Sequence, residues 1–179
     1  MRKLLAIAPA LIGVSAILAY VLPFLGGENS FLTKWGGSSE VTMKPVTALC
    51  FVFSGVVLLA SESEEKRSLL SLGIFLNAVI LSAFINLGKE TGEALTVGFN
   101  VPSIGTLGVF LSFGSACLWP RSFRFFGKII IGICSLAIVG HLVNHPPFYF
   151  YFEGWSTALA RPTAIAGMLV GMFMVRDAE

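Results

Sequence analysis

The sequence predicts an all-α integral membrane protein of six transmembrane helices, arranged as three tandem hairpins with both termini cytoplasmic. Three observations lead there: a composition too apolar for water, five or six apolar stretches separated by charged loops, and one phrase that recurs three times. Of the 179 residues, 55% are hydrophobic and 12% charged, and the mean hydropathy is +0.84. Soluble domains run about 45–50% apolar and about 25% charged, so too few polar side chains exist to coat a water-soluble globule. Six helices of about 20 residues would use most of the chain, leaving loops and tails but no folded soluble domain. That arithmetic argues against most enzymes, nucleic-acid binders and any cytoplasmic output module.

The apolar stretches run over residues 4–25, 45–60, 69–87, 103–119, 129–143 and 162–175. The first follows Arg2 and Lys3 like a signal peptide, but its 22 residues exceed the apolar core of such a peptide, about 7–15 residues. A retained anchor is the reading preferred. The last has only 14 residues, short for a bilayer core of about 30 Å at about 1.5 Å per residue. Cationic residues orient the chain. With the N-terminus inside, Arg2, Lys3, Lys66, Arg67, Arg121, Arg124, Lys128 and Arg176 are cytoplasmic, against Lys34, Lys44, Lys89 and Arg161 outside. Trp35 and Trp155 then fall in outer loops, and Trp119 closes the inner end of the fourth span, as interfacial residues should. The inner segment 120–128 interleaves Phe with Arg and Lys, so its rings can dip into the acyl boundary while its cations reach headgroups.

Self-comparison reveals a repeat of about 58 residues, with units 1–61, 62–120 and 121–179. PVTALCFVFSG, SIGTLGVFLSFG and RPTAIAGMLVG open the second, fourth and sixth stretches. Each has a Pro upstream (Pro45, Pro102, Pro162), a Thr near the start (Thr47, Thr106, Thr163) and a Gly eight residues on (Gly55, Gly114, Gly171). The threonines are 59 and 57 residues apart. The odd stretches echo one another at Tyr20, Phe84 and His141. Proline suits a first helical turn, threonine can bond a carbonyl or a neighbouring helix, and glycine lets helices approach closely. Helix entry and packing explain the threonines; lining a pocket is the alternative.

The phrase (small or Pro)-x-TAL-xx-F-xxx-G after an outer loop, clearest over residues 43–59 and 104–118 and weaker over 161–171, resembles the multi-pass N-terminal sensory regions of bacterial membrane histidine kinases and diguanylate cyclases. The resemblance implies a sensor in the bacterial inner membrane. Those proteins continue into a cytoplasmic catalytic module that this sequence lacks, so signalling would need a separate partner.

Candidate chemistry is sparse. No Asp, Glu, Lys or Arg lies mid-span, which argues against pumps and ion-coupled transporters. No HExxH or GxSxG occurs either, so a non-enzymatic role is expected. His141 and His145 stand four apart before Pro146-Pro147, so on a continuing helix they would share one face. Hydrogen bonding at the interface or a pH-sensitive contact is the main reading, with metal or haem as a lesser option that Glu153 would have to complete. The run 148–155 (FYFYFEGW) places Phe148, Tyr149, Tyr151 and Trp155 in the outer interface as an anchor, a lid or a docking surface. Glu153 and Arg161 flank that loop and can pair. Asn77 sits mid-span and must find a partner, within the bundle or on another chain. Cys50, Cys117 and Cys134 form no CxxC pair and are read as small core residues.

The expected function is therefore a non-catalytic sensory or ligand-binding membrane module with an aromatic-rimmed outer site and no required cofactor. An accessory subunit of a larger membrane complex is the alternative, and a small transporter of an uncharged or lipid-like substrate a third. Expected partners are membrane lipids, other membrane subunits or a separate signalling protein, and not nucleic acid.

Overall fold

The computed structural model describes residues 2–21, 43, 45–59, 103–150 and 158–177. The third predicted span, and with it Asn77, lies outside the described residues, as do Tyr151, Glu153 and Trp155. Among the described residues every regular element is helical: α1 (Arg2–Val21), α2 (Pro45–Leu59), α3 (Ile104–Leu118), a 3-10 turn (Pro120–Ser122), α4 (Phe123–Leu142), the single turn α5 (Pro147–Phe150) and α6 (Arg161–Asp177). Of these, α4 is long and apolar enough to cross a membrane, and shorter apolar segments lie at Leu4–Ala19, Thr47–Leu59 and Ile104–Leu118.

Two boundaries differ from the sequence reading. The basic-aromatic segment expected as an inner loop instead forms the 3-10 turn and the first turns of α4. Ser122 N–H closes that turn on the Trp119 carbonyl at 2.9 Å. Phe, Arg and Lys then continue as helix formers whose charge needs no break in the backbone. The last helix spans 17 residues rather than 14, because Arg161 and the Arg176-Asp177 end extend it with polar residues.

α1 runs antiparallel to α2, and α4 antiparallel to α6, and each pair meets through small residues. A Cβ on Gly55 would lie 2.9 Å from the Ala6 carbonyl oxygen and 3.2 Å from the Ala10 nitrogen. A Cβ on Gly171 would lie 2.8 Å from the Gly127 carbonyl oxygen and 3.2 Å from the Ile131 nitrogen. Gly55 and Gly171 are both eight residues beyond the recurring Thr, and Ala6/Ala10 and Gly127/Ile131 are both displaced by 121 residues. That displacement also relates Tyr20 to His141. One turn further along, Gly13 meets the Ala48 carbonyl and Val52, and Gly167 meets Cys134 Sγ, again 121 residues from Gly13. In addition, α3 packs on α4 and α6 packs on α1.

Between the pairs lies one apolar core that includes Phe51, Phe110, Phe113, Ile130 and Phe173. The Phe51 and Phe110 rings, each four residues past its Thr, sit 4.9 Å apart and tilted by 54°. The polar residues buried among the described residues are all hydroxyls: Thr47, Ser54, Ser103, Thr106 and Thr163. Cys50, Cys117 and Cys134 are buried and in no disulfide among the described residues. Large apolar side chains also face outward in rows, Leu4, Leu11, Val14 and Leu18 on α1 and Leu49, Phe53, Val56 and Leu59 on α2.

Candidate functional site

Two sets of polar residues stand out, and both lie where the outer ends of helices were expected. The first is the set of helix entrances. Thr47, Thr106 and Thr163 each occupy the third residue of a helix, and each is at most 3% exposed. At α3 the entrance is satisfied locally. Ser103 has extended backbone, its Oγ accepts the Thr106 N–H at 3.1 Å, and the two hydroxyls pair at 2.8 Å. That is a side-chain N-cap on otherwise unpaired first-turn donors. The residues three before Thr47 and Thr163 are Lys44 and Ala160, whose side chains carry no hydrogen-bond acceptor. Among the described residues, neither the Thr47 nor the Thr163 hydroxyl makes a hydrogen bond, although both are buried. Buried polar groups are normally paired, and leaving one bare costs about 1–3 kcal/mol. Two entrances therefore hold buried hydroxyls with no partner among the described residues.

The second cluster closes the outer end of α4. Val143 N–H caps the helix on the Val139 carbonyl, Asn144 takes a left-handed φ of 53°, and His145 N–H returns to the Gly140 carbonyl at 2.8 Å. The helix therefore ends before His145, and the shared helical face expected for the two histidines does not form. His141 instead stacks flat on Tyr149, centroids 4.2 Å apart and 7° from parallel. Its Nε2 lies 2.7 Å from the Leu159 carbonyl oxygen, so Nε2 carries the proton and donates. His145 sets its ring edge-on to Phe148 at 4.7 Å. The two histidine rings go to separate neighbours, no group of three potential metal ligands occurs among the described residues, and Glu153, which a metal site here would need, lies outside them. The aromatic run begins as the turn α5, where Tyr149 is buried and accepts the Leu159 N–H at 2.7 Å. Leu159 thus donates its N–H to the Tyr149 carbonyl and accepts a hydrogen bond from His141 Nε2 on its own carbonyl, fixing the chain two residues before α6. Arg161 is exposed at the start of α6.

Sequence reasoning missed Ser103 and the Leu159 carbonyl. Ser103 three residues before Thr106 at a helix start was a readable capping signal; a backbone acceptor leaves no signature in a side-chain pattern. Replacing His141 with Phe keeps the stack and removes the donor. This should cost about 1 kcal/mol locally and speed amide exchange at Leu159 about fivefold, as read by hydrogen–deuterium exchange; unchanged exchange would show the bond to be idle. No known protein family, curated protein or solved structure matches the chain.

Proposed function

We propose that this chain is a six-span, three-hairpin module of the bacterial inner membrane that binds a small lipid-soluble ligand at its outer helix entrances and performs no catalysis. The observation that carries the ligand reading is the pair of buried hydroxyls at Thr47 and Thr163, which have no partner among the described residues, beside the same position satisfied internally at Thr106. A ligand oxygen at such a hydroxyl would complete the pattern that Ser103 completes at α3.

Several features support the membrane setting. α4 has the length and composition of a span, and α1 and α2 carry outward rows of large apolar residues of a kind that soluble monomers keep small. The matched close contacts of Gly55 and Gly171, on partners 121 residues apart, support an architecture of repeated hairpins. The cationic bias supports both termini inside. The sensory role follows from the resemblance of the recurring phrase.

Native mass spectrometry of the gently extracted protein tests this reading. One small-molecule adduct per chain is expected, lost on exchange into harsh detergent. A bare mass would contradict ligand binding, and a fixed-stoichiometry complex with other chains would favour an accessory subunit instead.

A further inference from the structure

The wall of α4 opposite the core has no protein partner among the described helices. Phe125, Lys128, Gly132, Leu136, Val139 and Val143 are all exposed. At about 100° per residue they fall within about 40° of one line along the helix. Phe123, Gly127, Ile130, Cys134, Ala137 and Gly140 occupy the opposite, buried side. The line is graded in chemistry. At its start stand Lys128, with Arg121 in the preceding 3-10 turn and Arg124 on the flank, all exposed, together with the exposed ring of Phe125. Arg176 also belongs to this end, because a Cβ on Gly127 would meet Met174 and Val175. Next comes Gly132, where an added Cβ would meet nothing within 4 Å, so the row carries an open notch. Beyond it the row is wholly aliphatic, with Val139 46% and Val143 62% exposed.

We infer that this face of α4 is a binding surface for an anionic phospholipid of the cytoplasmic leaflet, its phosphate at Arg121 and Lys128 and one acyl chain lying over Gly132 toward Val139. The inference rests on the membrane reading above. From Lys128 to Val139 is about 16 Å of helix, matching one leaflet of a hydrocarbon core about 30 Å thick. Charge decides between the possible occupants. A second copy docked through the same face about an axis normal to the membrane would oppose Arg121 and Lys128 to their own equivalents, which like-charge repulsion disfavours. A phosphate satisfies both cations, and Arg binds it in bidentate fashion.

The test uses the full chain in mild detergent with equimolar phosphatidylglycerol and phosphatidylcholine of identical acyl chains, read by native mass spectrometry. At least tenfold preferential retention of phosphatidylglycerol is expected. The double variant Arg121→Gln/Lys128→Gln should lose that preference, Lys128→Arg should keep it, and Gly132→Leu should lower retention several-fold with the melting temperature not reduced. Equal retention of the two lipids by the native protein would overturn the inference, as would an undiminished preference in the double variant or a dimer abolished by Gly132→Leu. A protein that stays dispersed without surfactant would instead remove the membrane reading itself.

Discussion

Gly171→Ala is expected to destabilise the protein by about 1–3 kcal/mol, and Gly55→Ala by a similar amount, as overpacking typically does. Ordinary helix propensity pulls the other way, since alanine is favoured over glycine by about 1 kcal/mol. Sterics win here because the obstruction is backbone. The new methyl on Gly171 would sit 2.8 Å from the Gly127 carbonyl oxygen, and that on Gly55 2.9 Å from the Ala6 carbonyl oxygen. A side chain could rotate aside, but a carbonyl moves only with its helix. Ile at either position should split α1 from α2, or α4 from α6, and prevent recovery of folded protein. Gly132→Ala is the control: with nothing within 4 Å, it should gain up to about 1 kcal/mol. Thermal or denaturant unfolding of the three variants in one detergent measures all of this. Equal effects at Gly55, Gly171 and Gly132 would show that the two tight crossings are not as described.

Thr47→Val and Thr163→Val should lower ligand occupancy at least tenfold while leaving the unliganded protein as stable as before, or slightly more so. Valine nearly matches threonine in shape, so the change removes a hydroxyl that has no partner among the described residues. Removing an unpaired buried polar group relieves its desolvation penalty. Thr106→Val should behave in the opposite way. It removes the hydroxyl pair that Ser103 Oγ makes with Thr106 Oγ1 at 2.8 Å, leaving Ser103 the Thr106 backbone N–H, and should cost about 1 kcal/mol without touching occupancy. Unfolding and native mass spectrometry on the same three preparations separate the two effects. If all three variants lose stability alike and occupancy stays constant, the threonines serve only as helix entries.

Helix existence was legible because apolar runs dominate this composition, and the starts of α2 and α3 fall within a residue of the sequence reading. The start of α4 was not, because Arg124 and Lys128 look like loop residues in a hydropathy pattern yet sit comfortably on a helix surface. The recurrence of Thr and Gly was visible in the letters, but its physical content was not. Only the coordinates show Gly55 and Gly171 meeting a carbonyl and an amide four residues apart in the same manner. The histidine pair misled for a definite reason. Spacing of four implies a shared face only while the helix continues, and Asn144, with its φ of 53°, ends it between them. Pro146 and Pro147 hinted at a stop without locating it. Leu159 was invisible because it acts through its backbone.

The account stands on the claim that α4 crosses a lipid bilayer with its basic end in the cytoplasm. Single cysteines placed at Ser122 and Asn144, in a background with Cys50, Cys117 and Cys134 replaced, test it in intact cells with a membrane-impermeant maleimide. The account predicts that Asn144→Cys reacts from outside, whereas Ser122→Cys reacts only after permeabilisation. Labelling of both positions from the same side, or recovery of the protein in the surfactant-free soluble fraction, would contradict it.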